Sequence, residues 1–232
     1  MSHTDLPDWT AQNPGGRPTD WLREAAGEDW VAATTHRFTA ELIAGRVRQD
    51  VMVRYLVQDY QFIDRFVALL GAAIHAAPTL ASRLPLGRFA GMVCSEENTY
   101  FVRSFDALGV PDALRVSPPL SAPARGFQAL MAEAAATGSY ADALAVLVAA
   151  EWVYLSWARP ARDTRAAEPF WCAEWVDLHA NPYFEGFVEW LRAELDREAA
   201  ALDAAGRARV LDLFRHAARL EREFFDTAYA AA

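Results

Sequence analysis

The chain has 232 residues, 53% of them hydrophobic and 12% aromatic, which is material for one sizeable core. A net charge of −9 and a pI near 5.0 leave no general basic footprint for nucleic acid or for an anionic membrane, so small molecules are the expected partners. Two cysteines, Cys94 and Cys172, fit reduced thiols in a cytoplasmic protein better than a secreted disulfide scaffold, and the polar start is neither a signal peptide nor an anchor.

Met1 to Asp20 carries Pro7, Pro14, Gly15, Gly16 and Pro18 with little to bury, so residues 1–20 are expected as a flexible or surface-draped arm and residues 21–232 as the folded domain. Trp21 to Gly45 reads as helical, with Trp30, Phe38, Leu42 and Ile43 on its apolar side, a break at Glu28-Asp29 and Gly45 as C-cap. Gln49-Asp50 restarts the chain into Val51 to Ala77, ended by Pro78. This stretch holds the most apolar run read in the sequence, Val67 to Ala77, which is too short to span a bilayer. The next helix opens at Pro78-Thr79, is interrupted by Pro85 and Gly87, and runs to about Leu108. Gly109 to Asp112 is turn chemistry, and Ser117 to Pro123 makes a connector. Pro123 to Ala136 is helical and closed by Thr137-Gly138; Ser139 caps Tyr140 to Ala158, which Arg159-Pro160 stops. Glu168-Pro169 starts a short helix through Trp175 and His179. Asn181-Pro182 supplies the cap and first-turn proline for Tyr183 to Ala201, and the last helix runs from Gly206 to Tyr229. No alternating strand pattern appears, which predicts an all-α, single-domain bundle of about eight helices.

Familiar sites are missing: there is no Gly-rich phosphate loop, Cys-x-x-Cys, His-Glu-x-x-His or Gly-x-Ser-x-Gly. Glu-x-x-His pairs, the usual metal ligands of a helical bundle, are absent too, so neither metal nor cofactor is expected. What stands out is Asp59, which shares a helical face with Tyr55, Phe62 and Phe66. A carboxylate among rings must be paired, hydrogen-bonded or in use; an ion pair with Arg54 or Arg65 is the plain reading. Other polar groups set among aromatics are Glu151 with Trp152 and Tyr154, His179 with Trp175, and Glu221 with Phe224 and Phe225. Arg219, Arg222 and Glu223 make an ordinary charged surface the competing reading for Glu221.

The ordered set Tyr55-Leu56-Val57-Gln58-Asp59, Thr137 to Asp142 leading into Glu151-Trp152-Val153-Tyr154, Trp175 to Phe184, and Glu221 to Phe225 resembles the TenA (thiaminase II) family over nearly the whole chain. The resemblance implies the helical bundle of the heme-oxygenase type, a homo-oligomer and a pyrimidine ligand. It implies that Asp59 holds the aminopyrimidine ring, that Glu221 works at the same ring, and that Tyr154 lies beside the position of the family's catalytic cysteine. That cysteine falls on Ala150 here. Family tyrosines fall on Phe62 and Phe127, which keep the ring faces and lose the hydroxyls, and another is replaced by His179. The chain looks closer to the branch that lacks the cysteine and is recognised by a glutamate. Glu151 is the conspicuous candidate and Glu97 a second, with salt bridges to Arg88, Arg103 or Arg159 as the competing reading. Neighbouring helical positions point about 100° apart, so Glu151 need not enter a pocket that Ala150 lines.

The expected function is a TenA-like hydrolase of an amino- or formylamino-pyrimidine in thiamin salvage. Glu151, Glu221 and His179 would be its catalytic groups, and Asp59, Phe62, Phe127 and Tyr154 its substrate-binding ones. A non-catalytic pyrimidine-binding protein is the competing reading, and a metal-dependent oxidase the weakest, for want of Glu-x-x-His.

Overall fold

The computed structural model describes residues 5–230, and among them there is no strand. The helices are α1 (Leu6–Gln12), α2 (Pro18–Thr34), α3 (Arg37–Ile43), α4 (Gln49–Ala76), α5 (Leu80–Met92), α6 (Asn98–Leu108), α7 (Asp112–Val116), α8 (Ala122–Ala136), α9 (Tyr140–Ala158), α10 (Phe170–Ala180), α11 (Pro182–Ala201) and α12 (Ala204–Ala228). A π-helical turn, Val93–Glu97, joins α5 to α6, and a short 3-10 turn, Arg159–Ala161, follows α9.

Helix α9 is the axis of the bundle. It is apolar on every side, and such a helix belongs in an interior; all its residues except Tyr154 and Ser156 are buried. Helices α11 and α12 pack along it, with α2, α4, α8 and α10 completing the surround. Among the described residues this helix, and not Val67 to Ala77, is the one with the length and apolarity to cross a membrane, but 89% of its most apolar window is buried by the other helices.

Side-chain caps set several boundaries where the sequence places them. Ser139 accepts from the Asp142 N–H at 3.2 Å, and Asn181 from the Phe184 N–H at 2.9 Å. Gly109 ends α6 in the left-handed region at φ 66°. Gly45 does the same after α3 at φ 63°, where a Cβ would meet the Glu168 carbonyl oxygen at 2.2 Å, so the end of α3 touches the loop that leads into α10.

Four expectations need correction. Of the two forms expected for the arm, flexible or surface-draped, the flexible one does not hold from residue 5 on: Asp5 caps α1, Leu6 and Trp9 are buried, and the Trp9 indole donates to Glu24 at 2.7 Å. Arg207 grips Asp5 at 3.0 Å and Arg17 reaches Asp196 at 2.6 Å, so ion pairs fasten this segment to α11 and α12; residues 1–4 lie outside the described residues. The break expected at Glu28-Asp29 falls at Gly27, whose φ of 54° kinks α2, and a full break follows at Thr35. Pro85 lies inside α5 without ending it, because Leu86 and Phe89 bury the face that holds the turn in place. The bundle also has more segments than the eight expected, since α1, α7 and the separate α3 add short pieces and the π turn divides the helix expected up to Leu108 into α5 and α6.

Candidate functional site

Six elements meet around one enclosed cavity. Helix α4 supplies Asp59, Phe62, Ile63 and Phe66; the π turn supplies Glu97; α8 gives Phe127; α9 gives Ala150, Glu151 and Tyr154; α10 gives Trp175 and His179; and α12 gives Glu221 and Phe224. All seven residues singled out in the sequence therefore face one space, although they lie on five helices. The room open to water centres is about 30 Å³, enough for a water or two. A larger groove of about 1380 Å³ beside α1 and α2 is an open surface feature without this convergence of acids.

Glu151 enters the cavity together with Ala150. Positions 150, 151 and 154 follow the i, i+1, i+4 pattern of a broad helical face, and because α9 is buried all round, the wide arc that it turns to the cavity takes in both neighbours. Glu97 arrives by another route. In the π turn, one extra residue is taken up within a continuous helix, and Glu97 is left buried at the cavity at the end of that turn. Cys94 is exposed and Cys172 is buried elsewhere, so no thiol lines the cavity among the described residues. Burial pushes the Cys172 thiol up to about 12, which keeps it neutral.

The acids are buried and uncompensated. Asp59, Glu97, Glu151 and Glu221 are each at most 8% exposed, and none has an ion-pair partner among the described residues. Arg54 is taken by Asp50 and the Ala228 carbonyl, Arg65 by Asp64, Arg103 by Glu174, Arg159 by Glu185, and Arg222 by Asp29. The ionic readings of these carboxyls therefore fail. Asp59 Oδ2 has no hydrogen-bond partner among the described residues.

Burial disfavours the ionised form of each acid. It raises the Asp59 carboxyl to about 7, with the nearby Tyr55 hydroxyl offsetting part of the rise. Glu97 is pushed up to about 8 by burial and then by the charge of Asp59. Glu151 and Glu221 lie well above the usual carboxylate range for the same two reasons, Glu151 feeling Glu97 and Glu221 as well. Burial lowers His179 to about 4, so its ring is neutral near pH 7. Its Nδ1 lies 2.9 Å from the Trp175 carbonyl oxygen; a carbonyl only accepts, so Nδ1 carries the hydrogen and Nε2 is left as an acceptor.

Aromatic rings form the rest of the wall. Phe62 stacks on Phe66 at 5.3 Å and meets Phe127 edge-on at 5.0 Å. Tyr154 lies 4.7 Å from the His179 ring, and its hydroxyl is 2.6 Å from that of Tyr55, which also accepts from the Trp175 indole at 3.1 Å. Ile63, Phe66 and Trp175 were not singled out as site residues. For Ile63 and Phe66 the signal was available, since they follow Asp59 by four and seven residues on the same face. Among the described residues no three His, Cys, Asp or Glu side chains come close enough together to hold a metal ion.

Residues 24–231 match the TENA/THI-4/PQQC family. The chain is 25% identical to the aminopyrimidine aminohydrolase of Halalkalibacterium halodurans over 211 residues, which cover 90% of this chain and 93% of that one. It superposes on a TenA family transcription regulator from Silicibacter with a TM-score of 0.81 and 22% identity, covering 95% of this chain and 100% of the other. A TenA homologue from Pyrococcus furiosus gives the same TM-score at 17% identity, with 91% and 100% covered. These two structural likenesses establish the shared helical bundle.

Proposed function

The chain belongs to the TENA/THI-4/PQQC family, and from that premise we propose that it is a TenA-like hydrolase of an amino- or formylamino-pyrimidine, working without a cysteine nucleophile. One observation carries the reading: four carboxyls without a counter-cation among the described residues converge on an aromatic-walled cavity; Ala150, on which the resemblance places the family's thiol, lines it too. The similarity to an aminopyrimidine aminohydrolase supports the choice of ligand. On the same family ground we extend the proposal to a cytoplasmic homo-oligomer.

The lining suits an aminopyrimidine chemically, and its walls must part to admit the ring, since the present room of about 30 Å³ holds a water or two. The pyrimidine's exocyclic amine and protonated ring nitrogen donate hydrogen bonds, and an ionised Asp59 accepts them while gaining the opposite charge that the protein does not supply. Phe62 and Phe127 offer ring faces, and Tyr154 closes the side toward α10. Glu151 and Glu221 favour their acid forms, so either has a proton to give to a departing amine, and the resulting carboxylate takes one from water. In the amine reaction a C–O bond to water forms as the C–N bond breaks, leaving an alcohol and ammonia. With the formylamino substrate, water adds to the formyl carbon, and formate leaves the free amine. His179, neutral and with Nε2 open as an acceptor, passes the proton between them.

The test is turnover of the aminopyrimidine and its formyl derivative, followed as ammonia and formate release. Wild-type protein is expected to turn over at least one, and Glu151→Gln or Glu221→Gln to lower kcat by about 10²–10⁴ while the fold is retained. Neither binding nor turnover by folded wild-type protein overturns the proposal. Tight binding without turnover, unaltered by Glu151→Gln, replaces it with a non-catalytic pyrimidine-binding protein.

A further inference from the structure

Phe224 lines two spaces at once. On one side is the cavity of acids; on the other is a crevice of about 370 Å³ between α4, α12 and the connector that leads into α8. The inner cavity holds a water or two, whereas the crevice falls within the roughly 300–1,000 Å³ usual for small-molecule pockets. A ring that enters the cavity has to displace a wall, and Phe224 is a wall that the two spaces share.

The crevice is built from Val53 and Val57 of α4, Leu114 of α7, and Pro118, Pro119 and Leu120 of the connector. Gln58, the residue before Asp59, fixes that connector with both ends of its amide: Nε2 donates to the Pro119 carbonyl at 3.1 Å, and Oε1 accepts from the Ser121 N–H at 2.8 Å. The other polar side chains on the walls are engaged as well. Arg54 donates to the Ala228 carbonyl at 2.8 Å and pairs with Asp50; Thr227 donates to the Glu223 carbonyl at 2.8 Å; Ser121 caps α8; and the Tyr55 hydroxyl meets Tyr154 and Trp175. A polar group placed in the crevice would leave water and find these partners taken, while an apolar one gains by burial. Ile63 also borders a second space, a groove of about 790 Å³, but Gln61, Asp64, Cys94 and Asn98 make its walls polar.

We propose that the crevice is a second subsite, which takes an uncharged apolar acyl chain joined through an amide to a pyrimidine held in the acid cavity. Phe224 turns aside to join the two spaces, and the amide lies where they meet. The substrate class is then an acylaminopyrimidine with a chain longer than formyl. Water adds to the acyl carbon, the C–O bond forms as the C–N bond breaks, and the nitrogen takes the proton, which leaves a short-chain carboxylic acid and the free aminopyrimidine. The proposal rests on the hydrolase reading and names the substrate class for that site.

The experiment measures Kd and acid release for the formyl, butanoyl and hexanoyl amides of one aminopyrimidine, using the whole chain. Kd is expected to fall by about tenfold or more from formyl to butanoyl, since each buried methylene is worth about fourfold. Leu114→Asp puts a charge into the crevice from a helix with no buried residue, so the fold is kept, and the gain should shrink to within about threefold. Leu114→Trp fills the crevice instead, and hexanoyl should then bind more weakly than formyl. A wild-type Kd that stays within about twofold along the series, or a gain that both variants leave intact, overturns the subsite and leaves the hydrolase reading standing. No binding of any of the three amides overturns both. Binding without release of acid or ammonia sinks the hydrolase reading alone, and the Kd series still decides the subsite. Light scattering is run alongside: a flat series, together with an oligomer that Leu114→Asp dissociates, would assign the crevice to a second copy of the chain and overturn the subsite.

Discussion

Asp59→Asn is expected to stabilise the protein, and by more at pH 8 than at pH 4.5. The carboxyl is buried, its Oδ2 is unpartnered, and it is raised from 3.8 to about 7. When the folded value lies above the unfolded one, the folded chain holds the extra proton. Stability from this group is then complete below the unfolded value and is lost as pH rises through the folded one. Each tenfold displacement of the proton equilibrium is about 1.4 kcal/mol, which makes the loss about 1 kcal/mol at pH 4.5 and about 4 kcal/mol at pH 8. Asparagine has the shape of the neutral acid and does not titrate, so the variant's advantage should grow by about 3 kcal/mol between the two conditions, or about 6–12 °C in midpoint for a chain of this size. The removed charge also acts on Glu97, Glu151 and Glu221, in the same direction. Thermal unfolding followed by circular dichroism at both pH values measures the difference, with pyrimidine binding assayed in parallel. A variant that is less stable at pH 8, or whose gain is equal at both pH values, would refute the view of Asp59 as an uncompensated buried acid. Stability gained as binding is lost would mark a residue kept for its chemistry.

Two further outcomes follow from the geometry. His179 should remain a neutral Nδ1–H tautomer in nitrogen NMR spectra down to about pH 5, since burial holds it near 4 and the Trp175 carbonyl fixes the hydrogen; an imidazolium at pH 6 would contradict this. Gly45→Ala should cost about 2–4 kcal/mol in denaturant unfolding, because the site combines a left-handed backbone with a carbonyl 2.2 Å from the added carbon. A loss below about 1 kcal/mol would show that the junction of α3 with the loop before α10 is softer than drawn.

Much of the bundle is written locally. Ser139, Asn181-Pro182 and Gly109 mark helix ends through their own side chains or backbone freedom, and these ends lie where the sequence puts them. Asp59 was conspicuous for a local reason as well, since a carboxylate one turn from rings on both sides is odd in any fold. What escaped depends on partners distant in the chain. The first helix looks like a loose tail until Glu24 and Arg207 are seen to hold it and its cap. Pro85 reads as a stop because the packing that carries the helix past it lies elsewhere. Glu151 could not be assigned to the cavity from its spacing to Ala150, because only the complete burial of α9 decides how wide an arc faces inward. Tyr55 has no polar signal of its own in the sequence; the partners of its hydroxyl, Tyr154 and Trp175, lie 99 and 120 residues away.

The π turn at Val93–Glu97 gives one corner of the site an unusual kind of vulnerability. Glu97 faces the cavity through the count of residues before it as much as through its identity. Removing one of the residues Val93 to Glu96 would let α5 and α6 wind into a regular helix and change the angle at which Glu97 leaves it. Every side chain of the site would survive such an edit, and one wall would still be lost. A position-by-position comparison of relatives would record only a gap in a helix. At this corner the length of the chain matters to the acid constellation as much as the identity of its residues.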